Sequence, residues 1–282
     1  LYGVRKPLPA VGGFEASGLV VAAGAGPAAQ RLMGRRVAAL SAGENDGAWA
    51  EYMLASAALC VPVPDDVGDE AASALIINPY TAWALVGIAR AAGAKAIVQT
   101  AAGSALGRMI QRLAAAHGIA CINVVRRPEQ AAELLEAGMA PALCSADPDF
   151  DTQLATLCKT LDARIAVDAV GGGLTGRVAR ALRPGGRVIV YGGLSGEEPR
   201  IGVDQLIFRD KKLEGFWLSS WLPGRSADEL AQLAVEIPAL ARDTLSTDTR
   251  ARYPLARFRE ALSDYAGHMS GGKVLFMPRV GG

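Results

Sequence analysis

From Leu1 to about Leu75, short apolar runs alternate with Gly and Pro punctuation, as in ASGLVVAAGAGP, GRRVAALSAG, GAWAEYMLA and ALCVPVPDDV. That pattern predicts an antiparallel, sheet-rich segment. The middle of the chain changes rhythm. KAIVQT, ACINVV, RIAVDAV and RVIVYGG read as strands, separated by the amphipathic stretches RMIQRLAAAHG, PEQAAELLEAG and GRVARALRPGG. Strands alternating with helices predict a parallel sheet, and strands that are apolar throughout predict helices on both of its faces. After Ser219 two helical patterns, SADELAQLAVEIPALARD and PLARFREALSDYAG, lead to a short closing strand, GKVLFMP. The expected organisation is a β-rich domain begun by residues 1–80 and resumed by residues 222–282. A doubly wound α/β domain, residues 81–221, is inserted between the two pieces. A cleft between two such domains is where a small-molecule site is expected.

Composition narrows the function. The chain has 282 residues, 51% hydrophobic and 20% charged, and a formal charge of +1, so neither nucleic acid nor an anionic membrane is an expected partner. The longest apolar stretch, Ala71 to Val86, is interrupted by Asn78, Pro79 and Thr81 and falls short of the ~20 residues of a spanning helix. The opening LYGVRKPLPAVGG lacks a signal-peptide pattern. Four cysteines, Cys60, Cys121, Cys144 and Cys158, have no CxxC spacing, which points to a reducing, cytoplasmic location. With only His117 and His268, a multi-histidine metal centre is excluded; each histidine reads as a polar residue near a helix end.

The strand KAIVQT runs through AAGSALG into a helix, the setting in which backbone N–H groups and a helix N-terminus hold a pyrophosphate. With Gly107 as third glycine of a GxGxxG pattern, Ala102 and Ser104 stand in the first two places. A tight strand-to-helix turn without a ligand would look similar, so context carries the reading. Nineteen residues beyond Gly107 comes Arg126, followed by Arg127, where an NAD enzyme carries an acidic residue for the ribose 2′-hydroxyl. Arginines there favour a 2′-phosphate, hence NADPH as cofactor. YGGLSGE follows a later strand; Gly192 and Gly193 would let a flat nicotinamide approach the main chain.

Together YGVRKPLPAVGGFE, NPYTAW, INVVRR, AVDAVGG, YGGLSG, LIFRDKKLEGFWLSSW and GGKVLFM resemble the zinc-free branch of the medium-chain dehydrogenase/reductase superfamily, of the trans-2-enoyl thioester reductase type. The likeness runs from Tyr2 to Met277. It implies an α/β fold, a Rossmann doubly wound parallel sheet inserted in a GroES-like β-rich catalytic domain. Family members carry further residues before the YG motif, so that domain is expected to be N-terminally truncated. Gly13, Phe14 and Glu15 stand where the zinc-dependent branch has GHE. Two departures are AAGSALG where relatives often have ASNSGVG, and an arginine stretch one residue shorter.

The resemblance implies NADPH-dependent reduction of the C2=C3 bond of an acyl thioester carried by CoA or acyl carrier protein. It assigns Tyr2 as proton donor and places Asn78 beside the nicotinamide. Gly103, Ser104, Ala105 and Leu106 would form the phosphate turn, with Arg126 and Arg127 on the 2′-phosphate. Tyr191, Gly192, Gly193, Leu194, Phe216, Trp217 and Leu218 would line the cofactor and acyl cleft, and Lys273 would reach back to the cofactor. Trp217 is assigned to the pocket, Trp221 and Trp83 to packing. A homodimer joined through edge strands near this segment is also implied. Chemically, hydride addition at the β-carbon pushes charge onto the thioester oxygen, where fixed donors must hold it. An acid then protonates the α-carbon. Alternatives are an NADPH quinone or alkenal oxidoreductase, and a catalytically weak nucleotide-binding paralogue.

Overall fold

In a computed structural model that describes residues 7–41, 47–268 and 271–278, the chain divides into two compact units. One comprises residues 1–80 and 227–282, the other residues 81–226. The first opens with β1 (Glu15–Leu19), α1 (Pro27–Gln30), β2 (Arg36–Leu40), β3 (Cys60–Pro62) and α2 (Asp69–Ala72). The three strands form an antiparallel sheet in the order β1-β2-β3, with Ser17 opposite Ala38 and Ala38 opposite Val61. Gly and Pro in the intervening segments keep these runs short.

Helix α3 (Ile77–Ala91) leads into the second unit. There follow β4 (Ala96–Thr100), α4 (Ala105–Ala116), β5 (Ala120–Val125), α5 (Pro128–Glu136), β6 (Ala142–Cys144), α6 (Phe150–Thr160), β7 (Ile165–Asp168), α7 (Gly172–Ala181), β8 (Arg187–Val190), α8 (Val203–Ile207), β9 (Lys212–Gly215) and α9 (Leu218–Trp221). The six strands make one parallel sheet in the order β6-β5-β4-β7-β8-β9. This is the doubly wound order, in which the chain's direction of travel reverses between β4 and β7. Strands β4 and β7 are buried along their whole length, which explains their unbroken apolar character. On one face Val98, Ile122, Val124, Ala166 and Val188 pack against Phe150, Leu154 and Val178 of α6 and α7. Met109, Ile110 and Leu113 of α4 are buried as well.

The chain returns to the first unit with α10 (Ala227–Leu240), β10 (Thr249–Pro254), α11 (Phe258–Gly267) and β11 (Lys273–Met277). Strands β10 and β11 pair in parallel. His117 and His268 lie at the C-caps of α4 and α11. All four cysteines are free, and among the described residues no helix is long and apolar enough to cross a membrane.

Candidate functional site

The carboxyl ends of β4, β5, β7 and β8 lie on one edge of the second unit's sheet, and four loops leave it there. After β4 the backbone turns through Ala101, whose φ of 50° is left-handed. Ala102 N–H then donates to Val124 O (3.2 Å) and Ser104 N–H to Ala101 O (2.9 Å), which closes the turn. Ser104 caps α4, its Oγ accepting from Gly107 N–H at 3.0 Å. A serine oxygen that accepts keeps its own proton to donate. Ala105 and Leu106 occupy the first turn, where an α-helix leaves N–H groups without intrahelical acceptors. A Cβ at Gly103 would meet only Gln130 Nε2, at 4.0 Å. A Cβ at Gly107 would lie 2.5 Å from Ala102 O. Gly107 thus has the role of the third glycine, allowing close approach of helix and strand.

Arg126 and Arg127 follow β5 and are exposed. Neither guanidinium pairs with a carboxylate among the described residues. Arg127 is the N-cap of α5, its backbone N–H donating to Gln130 Oε1 at 3.3 Å. The third loop, Ala169 to Gly171, is tied to the fourth. Tyr191 N–H donates to Asp168 O (2.9 Å), Leu194 N–H to Ala169 O (3.0 Å) and Ser195 N–H to Val170 O (2.9 Å). Gly192 is needed for the same join, since a Cβ there would lie 2.8 Å from Ala169 O, whereas one at Gly193 would meet nothing within 4 Å. Of the two glycines, Gly193 is the one whose face is open.

The turn residues Gly103 to Leu106, the arginine pair and Tyr191 to Leu194 therefore share one edge of one sheet. The aromatic segment follows β9. Trp217 is 59% exposed and Leu218 is buried. Phe216 packs against Trp221 (6.3 Å between ring centres), and Trp221 against Trp83 (6.2 Å) and the Arg225 guanidinium (4.8 Å). Asn78 lies in the first turn of α3, half-buried. Lys273 begins β11, where its charge lies near Glu15 and opposes the rise that burial imposes on that carboxyl's pKa. Glu15 also accepts from Ile76 N–H (3.1 Å) and Ile77 N–H (2.9 Å), so its carboxylate is engaged at the start of α3. Among the described residues no group of three or more His, Cys, Asp or Glu could hold a metal ion. Tyr2 lies outside the described residues.

Sequence reasoning missed Thr100 and Asp168. Asp168 is fully buried. Its Oδ1 accepts from Thr100 Oγ1 (2.7 Å), Val170 N–H (2.8 Å) and Gly171 N–H (3.3 Å), and its Oδ2 from Thr175 Oγ1 (2.6 Å). The available signal was a lone acid ending an otherwise apolar strand, three residues before a run of three glycines. Lys211, in the charged run RDKK, is buried. Its ammonium donates to Leu182 O and to Arg183 O (2.7 Å) beyond the end of α7, and burial pushes its pKa down to about 8.

A parallel sheet in this order, with a capped, glycine-dependent turn at its switch point, defines a dinucleotide-binding type of fold. The description "zinc-binding dehydrogenase" belongs to a family model that matches residues 105–236. A mitochondrial enoyl-[acyl-carrier-protein] reductase of Mus musculus is 32% identical over 267 residues, 93% of this chain and 71% of that protein. A Mesorhizobium loti structure provisionally named an NADPH:quinone reductase superposes with a TM-score of 0.91 at 37% identity, covering 98% of this chain and 80% of its own. A mycobacterial protein solved with NADPH gives 0.81 at 25% identity, over 97% and 84% of the two chains. The chain belongs to the medium-chain dehydrogenase/reductase superfamily, in the enoyl thioester reductase branch, whose members are oxidoreductases acting on CH–CH bonds.

Proposed function

We propose that the chain reduces the C2=C3 double bond of trans-2-enoyl thioesters with NADPH, the acyl group being carried by CoA or by acyl carrier protein. The observation that carries this reading is the arginine pair after β5, exposed and free of carboxylate partners, on the same sheet edge as the phosphate turn. The mouse relative, an enoyl-[acyl-carrier-protein] reductase by name, supports the substrate class.

The cradle fits the dinucleotide. The first-turn amides of Ala105 and Leu106 and the Ser104 hydroxyl donate to the pyrophosphate, and Gly103 leaves room for it. Arg126 and Arg127 hold the 2′-phosphate, where a fork of donors favours NADPH over NADH. Tyr191 to Leu194 offer main chain to the nicotinamide, with Asn78 and Lys273 as further contacts. Phe216, Trp217 and Leu218 bound the acyl side, the exposed Trp217 indole being the candidate contact for the chain. When bound, the reduced dinucleotide supplies the hydride. Tyr2 protonates the α-carbon, a role suited to a phenol that at its ordinary pKa of ≈ 10 is protonated at neutral pH. The free cysteines fit a reducing compartment.

A homodimer is part of the proposal. β9 ends the six-stranded sheet, and the exposed apolar residues Val203, Ile207 and Phe208 precede it on and after α8. An uncovered strand edge beside such residues calls for a partner.

The Mesorhizobium loti match favours a second reading, NADPH:quinone reduction. NADPH oxidation followed with crotonyl-CoA, longer enoyl-CoAs and a quinone separates the two. Faster turnover of the thioesters is expected; faster quinone turnover overturns the substrate assignment. Bound NADPH with no turnover of either would identify a nucleotide-binding paralogue. Tyr2→Phe should lower the rate roughly 10²–10⁴-fold at unchanged NADPH affinity, and an unchanged rate would remove Tyr2 from the chemistry.

A further inference from the structure

We propose that Thr100 is a positioning residue for the dinucleotide, acting through a hydrogen-bonded latch to Asp168 that holds the β4 turn in register with the loops after β7 and β8. The inference rests on the NADPH reading above and adds to it a residue in contact with neither phosphate nor ring.

The latch sits where it would matter. Gln99 is level with Val167 in the β4–β7 pairing, so Thr100 and Asp168, one residue further on each strand, stand side by side at their carboxyl ends. These are the two strands between which the sheet order reverses, where such folds bind their ligands. The Thr100 hydroxyl donates to Asp168 Oδ1 (2.7 Å) and accepts from Ala169 N–H (2.9 Å). With donor and acceptor both committed, the side chain has one orientation. Ala169 and Val170 in turn accept from Leu194 and Ser195, so a single hydroxyl joins the phosphate turn to two further loops.

Two features suggest that orientation is what the arrangement achieves. Asp168 is fully buried with no cationic partner among the described residues, and its four donors are neutral hydroxyls and amides. Burying a carboxylate this way is costly, and an apolar replacement of similar volume would often be as stable. Ala101, the next residue after Thr100, is held at φ 50°. That backbone is strained for an alanine and persists only where its surroundings fix it.

Thr175 supplies the control. It too is fully buried and donates to the same carboxylate, but to Oδ2 and from α7, away from the phosphate turn. Thr100→Val and Thr175→Val each remove one hydroxyl from Asp168 at nearly constant volume. The thermal midpoint should fall in both, and further in Thr100→Val, which also leaves Ala169 N–H without its acceptor. NADPH affinity, titrated on the purified chain by fluorescence, should fall roughly tenfold or more in Thr100→Val and less than about twofold in Thr175→Val. Thr100→Ser, which restores the hydroxyl, should return most of the affinity. Equal changes in the two valine variants, or none in Thr100→Val, would overturn the latch while leaving NADPH binding intact. If Thr100→Val does not fold, Thr100→Cys, with its longer and weaker donor, should still lose affinity beyond Thr175→Val, and failure to do so overturns the proposal equally. A wild-type chain that binds neither NADPH nor NADH overturns the cofactor reading itself, and the latch with it.

Discussion

Gly107→Ala tests whether the turn before α4 is shaped by backbone contact. The added methyl would lie 2.5 Å from Ala102 O and 2.8 Å from both Ala102 C and Cα. All three are main-chain atoms of a buried residue, so no side chain can swing aside. Ordinary contact begins near 3.4 Å, so α4 must retreat from the turn by about 0.9 Å in a densely packed region. Overpacking of this kind costs about 1–3 kcal/mol. Better helix propensity of Ala over Gly returns about 0.5–1 kcal/mol. The net loss of up to about 2.5 kcal/mol should lower the thermal midpoint by up to about 7 °C. The same retreat moves the amides of Ala105 and Leu106, and misplacement on the 1 Å scale can cost up to about 10²-fold in a positioned interaction. NADPH affinity should therefore drop at least tenfold. Gly103→Ala separates the two effects. Its methyl has only Gln130 Nε2 at 4.0 Å, so the midpoint should move by less than about 1 °C while the methyl narrows the phosphate turn and weakens binding. The assays are circular dichroism against temperature and a fluorescence titration with NADPH. Gly107→Ala with wild-type midpoint and affinity would refute the reasoning.

Arg126→Ala combined with Arg127→Ala should weaken NADPH far more than NADH, measured as the ratio of the two dissociation constants; equal losses would exclude a 2′-phosphate contact. Phe208→Glu, at a position 80% exposed beside the terminal strand, should convert a dimer to a monomer in analytical ultracentrifugation, and an unchanged sedimentation coefficient would place the interface elsewhere. Lys211 has a pKa pushed down to about 8 from its ordinary 10.5, so the unfolded chain binds more protons than the native one between those values. Stability from this group therefore rises with pH across that window. The difference in urea midpoint between wild type and Lys211→Met should shift toward wild type from pH 8 to 10, and a pH-independent difference would refute the assignment.

The legible parts of this protein were those whose cause is local or periodic. KAIVQT, ACINVV and RIAVDAV are apolar throughout because both faces of the parallel sheet are covered, and that alone predicts alternating strands and helices. The spacing of AAGSALG and the arginines after ACINVV could be read for the same reason: a turn and the strand end beside it are set within a few residues. Three residues escaped because their partners are remote. Thr100 and Asp168 meet across 68 positions. Lys211 resembles its exposed neighbours in sequence, yet its hydrogen bonds run to carbonyls at the end of α7.

By itself, then, the sequence determined the element types, the inserted parallel sheet and the place of the tight turn between β4 and α4, since hydrophobic periodicity and turn chemistry act over short range. Only the tertiary structure decided why Gly107 must be glycine, which of Gly192 and Gly193 leaves an open face, and which donors satisfy the buried Asp168 carboxyl group. Each of those depends on atoms that the sheet order brings together from distant parts of the chain.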